Sequence, residues 1–290
     1  MSKISIKFYN DKPVRAIWSE NNNSWYFSVL DVVGAIRNEE DYQKNKNYWK
    51  YLKTKLKKQN SQLVSVTNQL KIEARDGKKY NSDALDSNGI ILLAKEFPSN
   101  YGSKFLDWFT NSNNTLDAKS KQKAYDLFES NILDSFEIGT TKGLQQIHAY
   151  IFGGLFDFAG QIRRKTISKG GFMFANGDFL PEILNNIDTM PMTNIDEIFD
   201  KYIEMNIAHP FMEGNGRSTR IWLDLMLKNK INLCIDWSLI DKNDYLNSMK
   251  VSPLNPEPIK KLLNNALTDN ISNRELFMKG IDYSYYYEEE

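Results

Sequence analysis

A twelve-residue stretch, residues 209–220 with the sequence HPFMEGNGRSTR, constrains the fold of this chain more than any other feature. Apolar residues recur at helical spacing before it, over residues 198–207, and again after it, over residues 221–226. Glycine interrupts a helix and favours a turn. The stretch therefore predicts a tight loop between two helices, with Gly214 and Gly216 opening the second helix.

The chemistry of such a loop suits a phosphate. The first backbone N–H groups of a helix have no intrahelical partner, and the helix dipole is positive at that end. Glycines let the backbone approach a ligand closely. Arg217 and Arg220 are three positions apart and share a face of the first turn, so two guanidinium groups can grip a polyphosphate.

The remaining polar residues of the stretch suggest group transfer. Glu213 has the wrong sign for a phosphate contact, but it fits a hard cation such as Mg²⁺ held between carboxylate and phosphate oxygens. His209 titrates near neutrality and can accept a proton from an attacking hydroxyl. A capped helix–loop–helix turn with two solvated arginines is the alternative. The combination within twelve positions favours a site.

These residues match, without a gap, the active-site signature of the Fic family, His-x-Phe-x-Asp/Glu-Gly-Asn-Gly-Arg-x-x-Arg. The chain resembles Fic proteins over about residues 118–290. The resemblance implies a protein adenylyltransferase that moves AMP from ATP to a Ser, Thr or Tyr hydroxyl of a target protein. His209 would be the base, and Glu213 would hold Mg²⁺. The nucleotide-binding residues that the resemblance implies are Gly214, Asn215, Gly216, Arg217 and Arg220.

One position separates two chemistries within the family. Gly216 resembles the adenylylating branch, because the phosphorylating branch carries Lys there. Three alternatives stay open: a phosphotransferase of the same fold, an enzyme that removes AMP, and a DNA-binding regulator whose Fic part responds to nucleotide.

Residues 167–174 predict two short strands around a Gly-Gly turn. In Fic proteins such a hairpin is the flap beside the active site. The resemblance implies target docking by Lys169, Gly170, Gly171 and Phe172. Strand addition recognises a backbone with little demand on sequence, so the target cannot be read here. Type II topoisomerase subunits are one candidate by analogy with similar bacterial enzymes. An ordinary surface hairpin is the alternative.

The C-terminal segment carries Ser284 and Glu288 one helical turn apart. The pattern Ser-x-x-x-Glu resembles the inhibitory helix of Fic proteins that carry it at the C-terminus. It implies that Glu288 pairs with Arg220 and competes with the γ-phosphate of ATP. The family's pattern has Gly or Asn after the Glu, whereas this chain has Glu289. A solvated charge is the alternative. We also hypothesise that Tyr285 is a site of self-adenylylation.

Charge divides the chain unevenly. Residues 1–110 hold 18 basic against 12 acidic residues, and the remainder holds 19 against 25. Together with the polar stretch 111–115, this predicts a domain of residues 1–110 and a second of 111–290 that ends in the inhibitory helix at about 273–288. The predicted fold class is a mainly α Fic fold with a small β-hairpin flap, preceded by an N-terminal α+β module. The expected N-terminal strands are residues 4–9, 14–18 and 25–29.

The N-terminal module is rich in lysine. Eight lysines and no acid lie between Lys44 and Lys71, with Tyr48, Trp49 and Tyr51 among them. Two interpretations stay open: a nucleic-acid surface, or a helix with a lysine-coated solvent face and an aromatic core face. Residues 7–10, 25–33 and 48–56 resemble the BRO-type N-terminal domains of phage antirepressors, which implies DNA binding or a regulatory role.

Other features exclude several classes. The single cysteine, Cys234, lies in an apolar run and excludes an intramolecular disulfide or a cysteine cluster for zinc. His148 lies on an apolar helix face and is expected to be structural. A charged-then-apolar leader and a membrane-spanning stretch are both absent from the sequence, so we expect a protein of the reducing cytoplasm without membrane partners.

Overall fold

The computed structural model describes residues 4–73, 78–111, 115–169 and 171–288. The chain divides into two compact units, Met1–Thr115 and Leu116–Glu290. Part of the predicted boundary, residues 112–114, lies outside the described residues, as do Gly170 and Glu289. The domain limits of 110 and 111 therefore stay a prediction.

The first unit contains an antiparallel sheet of five strands in the order β1-β2-β3-β5-β4. The strands are β1 (Ile4–Tyr9), β2 (Lys12–Ser19), β3 (Ser24–Ser28), β4 (Asn68–Glu73) and β5 (Lys79–Leu85). The first three confirm the predicted strands. The last two were not predicted, because most of their side chains are polar and only Ile72, Ala84 and Leu85 are buried.

Five helices pack in the same unit. They are α1 (Val29–Arg37), α2 (Tyr42–Lys58), α3 (Gln62–Ser65), α4 (Ser87–Ala94) and α5 (Ser99–Asn111). Helix α1 begins where Ser28 accepts a hydrogen bond from the backbone N–H of Asp31. Its apolar face, which includes Val29 and Val33, is fully buried in the core of this unit.

The lysine-rich helix α2 turns its aromatic residues inward. Trp49 is buried and its indole N–H donates to Asp83 at 2.6 Å, while Tyr48 stacks on Phe97. Most of the helix's lysines lie on the solvent side. This is the lysine-coated helix of the second interpretation. Tyr42 and Tyr51, which are 57% and 70% exposed, are exceptions.

The second unit is mainly helical. Its helices are α6 (Leu116–Glu129), α7 (Thr141–Phe152), α8 (Leu180–Thr189), α9 (Ile195–Ala208), α10 (Asn215–Ile231), α11 (Lys242–Val251), α12 (Glu257–Asn265) and α13 (Arg274–Tyr286). Strands β6 (Ser168–Lys169) and β7 (Phe172–Met173) form a small hairpin, whereas β8 (Cys234–Ile235) pairs antiparallel with β9 (Leu267–Thr268) from the far side of α11 and α12. The hairpin was predicted. Helix α8 was not.

Helices α9 and α10 form the centre of this unit. Residues 209–214 form the loop between them, and residues 215–220 of the predicted motif begin α10. Tyr202 on α9 and Trp222 on α10 are fully buried, and the indole N–H of Trp222 donates to the carbonyl of Thr140. Phe211 of the loop is also fully buried, and so is Cys234. The loop is thereby tied to the core at its centre.

No helix in the described ranges combines the length and the apolar character that crossing a bilayer requires.

Candidate active site

His209 ends α9 in the left-handed conformation, with φ 50°. Its backbone N–H donates to the carbonyl of Met205, so the chain leaves the helix within one residue. The imidazole stacks on Phe174 with 3.6 Å between ring centroids and 12° between planes. Phe174 follows β7, so the predicted flap and the predicted base are in direct contact.

The hydrogen bonds of His209 fix its tautomer. Its Nδ1 lies 3.3 Å from the carbonyl oxygen of Asn206. A carbonyl only accepts, so Nδ1 carries the hydrogen and Nε2 keeps a lone pair. Burial lowers the pKa of His209 to about 4. The imidazole is therefore neutral at neutral pH, which is the form that accepts a proton.

The turn that follows depends on a glycine and an asparagine. Gly214 has φ 79°, and a Cβ there would collide with the ring of Phe152. The side chain of Asn215 accepts from the N–H of Phe211 and donates to its carbonyl, both at 2.8 Å. The Asn215 side chain thus closes the loop, which leaves the backbone N–H groups at the start of α10 for a ligand.

His148 contacts the loop through a hydrogen bond and a ring stack. Its Nδ1 accepts from the N–H of Gly160, so Nε2 carries the hydrogen and donates to the carbonyl of Glu213, each at 2.8 Å. Its ring stacks on Phe211 at 3.8 Å. Burial lowers the pKa of His148 to about 4. This neutral, fully satisfied imidazole is the structural residue that was predicted.

Arg217 lies between two acids and two rings. Its Nη2 donates to Glu213 Oε1 at 2.6 Å, and its Nη1 donates to Asp117. The guanidinium faces the rings of Phe152 and Tyr285 at 5.1 and 5.3 Å. Within the described ranges, its Nε is buried and has no hydrogen-bond partner. That donor is available for an anion.

Arg220 lies deeper, with 1% of its surface exposed. Its Nε donates to Ser284 Oγ, and its Nη2 donates to the Ser284 carbonyl and to Glu288 Oε1, all at 2.7 Å. Its Nη1 donates to the hydroxyl of Tyr245 at 3.3 Å. The rings of Tyr245 and Tyr287 face it at 5.5 and 5.3 Å. Helix α13 thus occupies the guanidinium of Arg220.

Glu288 bridges two cations. Its Oε1 accepts from Arg220, and its Oε2 pairs with Lys169 of β6 at 3.2 Å. Burial by itself raises the pKa of Glu288, but the charges of Arg220 and Lys169 outweigh it and lower the pKa to about 2. The carboxylate is ionised throughout the neutral range.

The predicted flap residues lie at the tip of the β6–β7 hairpin. Lys169 and Gly171 are exposed, and Phe172 is partly buried and contacts Phe174 edge to face. Gly170 lies outside the described residues. The hydroxyl of Tyr285 is buried and donates to Ser120 at 3.0 Å. Self-adenylylation of Tyr285 therefore requires α13 to leave its position, and it stays a prediction.

Several residues of the site were not singled out from the sequence. Asp117 on α6 pairs with Arg217 across 100 positions, Phe174 stacks on His209, and Arg163 binds the loop backbone. Arg163 ends the segment of residues 156–163, which continues the resemblance to Fic proteins, and Phe174 ends the predicted hairpin of residues 167–174. Asp117 carried no signal.

The family model of the Fic/DOC family matches residues 139–227, which include α7, the hairpin, the loop and most of α10. Over these residues the chain is similar to the Fic/DOC family. The match contains the whole predicted motif, but Asp117, Ser284 and Glu288 lie outside it.

Two similar proteins are named as protein adenylyltransferases. The chain is 26% identical over 164 residues to protein adenylyltransferase VbhT of Bartonella schoenbuchensis, which covers 49% of this chain and 34% of that protein. It is 28% identical over 115 residues to the probable protein adenylyltransferase y4lH of Sinorhizobium fredii, which covers 36% of this chain and 59% of that protein. The chain thus spans about a third and about three fifths of these curated relatives.

Among solved structures, the Bartonella tribocorum BepC protein with bound AMPPNP is similar at 18% identity and a TM-score of 0.45. The alignment covers 53% of this chain and 84% of that one.

Proposed function

We propose that this chain is a protein adenylyltransferase that transfers AMP from ATP to a hydroxyl of a target protein and is restrained by α13. The observation that carries the proposal is the neutral imidazole of His209, whose Nε2 keeps its lone pair beside the anion-ready start of α10. The names of the two relatives support the same chemistry.

The proposed reaction is a single displacement. The oxygen of a Ser, Thr or Tyr hydroxyl attacks the α-phosphorus of ATP, and its proton passes to Nε2 of His209. The bond from the α-phosphorus to the bridging oxygen breaks, and pyrophosphate leaves. The N–H groups of Gly216 and Arg217 and the unpartnered Nε of Arg217 would bind the phosphates.

A Mg²⁺ ion fits the residues present. Among the described residues, only Oε1 of Glu213 accepts hydrogen bonds, and the side chain is 54% exposed, so its other oxygen is left for a cation. No cluster of three or more His, Cys, Asp or Glu residues that could hold a metal occurs in the part of the chain described. Mg²⁺ shared between one carboxylate and nucleotide phosphates suits such a site, where it would offset the phosphate charge.

Gly216 bears both on the group that is transferred and on the proposed inhibition by Glu288. A Cβ at Gly216 would collide with Glu288 Oε1 and would lie 3.0 Å from Nη1 of Arg220. A lysine at this position, as in the phosphorylating branch, is incompatible with Glu288 as it stands. Gly216 therefore favours AMP transfer together with inhibition by Glu288.

The inhibition we propose is competition for Arg220. Glu288 and Ser284 take the guanidinium donors that the γ-phosphate of ATP would otherwise use. ATP can then bind only in a pose unfit for in-line attack.

Labelled ATP tests the proposed function. The Glu288→Gly protein is incubated with Mg²⁺ and a lysate of its host, in parallel with α-labelled and γ-labelled ATP. We expect a protein band that carries the α-label alone. A band with only the γ-label would establish phosphorylation, and no band with either label would contradict transfer. His209→Ala in the same background separates the enzyme from a DNA-binding regulator, because only the enzyme loses its biological effect.

A further inference from the structure

Arg163 contacts the first residues of the 209–220 motif, and 3% of its surface is exposed. Its Nε donates to the carbonyl of His209 at 2.7 Å, and its Nη2 donates to the carbonyl of Ala208 at 2.9 Å. Its backbone N–H donates to the carbonyl of Pro210 at 2.8 Å. Three consecutive carbonyls around the predicted base are thus held by one residue.

The same guanidinium holds both ends of the flap. Its Nη1 donates to the carbonyl of Lys165, before β6, and its Nη2 also donates to the carbonyl of Ala175, after β7, at 2.5 and 2.6 Å. Ala175 follows Phe174, whose ring covers one face of the His209 imidazole. One side chain therefore fixes the backbone on both sides of this ring stack.

The partners of Arg163 are unusual for a buried cation. Among the described residues, no carboxylate lies within ion-pair distance of it, and every contact is a backbone carbonyl. Burial lowers the pKa of Arg163, but arginine stays charged in proteins. A charged donor makes stronger hydrogen bonds than a neutral one. This arrangement uses the charge to set backbone geometry.

His209 needs such support. Its φ of 50° is uncommon for a residue with a Cβ and persists only where the surroundings determine it. We propose that Arg163 is a positioning residue for AMP transfer, which holds the His209 imidazole against the flap in the orientation that receives the proton. This inference rests on the proposed function.

Arg163→Lys and Arg163→Gln test the inference in the Glu288→Gly background. Lysine keeps the charge but loses the planar fork, and glutamine loses both. Lys201→Met is the matched control, because Lys201 is also buried and donates to two carbonyls, those of Asp188 and Met190, away from the loop. The measurements are kcat, KM for ATP, melting temperature and ¹⁵N-histidine NMR, in which two imidazoles are observed.

We expect kcat to fall about 100-fold in both Arg163 variants, while KM for ATP stays within about twofold, since misplacing a reacting group by about 1 Å costs about that much. The titration midpoint of His209 should rise from about 4 toward its ordinary 6.5 as the ring becomes solvated. His148 should keep its midpoint. Lys201→Met should lower the melting temperature and leave kcat and the His209 titration unchanged.

A purely structural role predicts otherwise. The inference is overturned if both Arg163 variants keep the His209 titration midpoint and the kcat of the parent. It is also overturned if Lys201→Met shows the same defects at an equal loss of melting temperature. The NMR measurement needs no activity, so it decides the positioning role even if the Glu288→Gly parent transfers no AMP and the proposed function fails. In the unmodified protein, the Arg163 Nε–H should exchange slowly with solvent. Rapid exchange would overturn the inference without any substitution.

Discussion

The two ends of the 209–220 motif are held by different kinds of contact. At the His209 end, the contacts come from Asn206, Phe174 and Arg163, and they involve backbone carbonyls and a ring. At the Arg220 end, the decisive partner is the carboxylate of Glu288, 68 positions later. Under the proposed function, the base is therefore preformed, whereas Arg220 is occupied by a carboxylate that the γ-phosphate of ATP would have to replace.

The charge states of His209 and Glu288 also differ between the two ends. Burial removes charge from His209, whereas the charges of Arg220 and Lys169 keep Glu288 ionised despite its burial. A neutral imidazole can accept a proton, and an ionised carboxylate can compete with a phosphate. Under the proposed function, control acts at the arginine and not at the base.

Removing the base should have the largest effect. In the Glu288→Gly background, we expect His209→Ala to lower the rate of AMP transfer by about 10²- to 10⁴-fold, the usual contribution of a general base. ATP affinity, measured by calorimetry, should change little, because the phosphates bind at the start of α10. Turnover that persists at the parent rate would show that the base end is not part of the reaction.

Removing the competing carboxylate should have the next largest effect. Glu288→Gly should raise AMP transfer by about 5- to 150-fold, the usual range of coupling between two ligands. Glu288→Gln keeps the size and one acceptor oxygen, so it should raise transfer less. Both are measured as initial rates with α-labelled ATP. Equal rates in the parent and both variants would remove the inhibitory role.

The titration of His209 distinguishes it from an exposed histidine. With folded pKa values of about 4, both His209 and His148 stay neutral as pH falls from 7.5 to 5.5. An ordinary histidine of pKa 6.5 would be about nine-tenths protonated at pH 5.5. ¹⁵N-histidine NMR of the folded protein should show almost no change over this range, whereas protein unfolded in denaturant titrates near 6.5. A folded-state midpoint near 6.5 for His209 would contradict its burial.

The sign of the linked stability follows from the same shift. A histidine with a lowered folded pKa binds fewer protons in the folded state than in the unfolded state between pH 6.5 and 4. Each histidine should therefore contribute a loss of stability as pH falls through this window, whereas Asp224, whose pKa burial raises to about 7, contributes in the opposite direction. Denaturant melts at pH 7 and 5 of the parent and of His209→Gln isolate the contribution of His209, and an equal pH dependence in the two proteins would contradict it.

The contact between the flap and α13 should have the smallest effect. Lys169 is largely exposed, and exposed ion pairs contribute little, so Lys169→Ala should raise transfer by no more than about fivefold. The increase should vanish in the Glu288→Gly background, where any remaining change reports target docking by Lys169 instead. Additive effects of the two substitutions would show that Lys169 does not act through Glu288.

Arg220 shows where the sequence alone was insufficient. The motif spacing places Arg217 and Arg220 on one helix face and predicts two phosphate-gripping arginines. The structure distinguishes them, since Arg217 keeps one donor unpartnered and Arg220 is enclosed by tyrosines and α13. Arg220→Ala would also leave Glu288 buried beside fewer positive charges, so it reports stability as well as catalysis.

The sequence by itself determined the local features. The loop between α9 and α10 and the β6–β7 hairpin follow from periodicity and turn residues that act within a few positions. Only the tertiary structure decided that β4, β5 and α8 form, that Asp117 reaches Arg217, and that Arg163 supports His209. Those contacts join residues tens of positions apart, and their geometry depends on how helices and strands pack rather than on the residues between them.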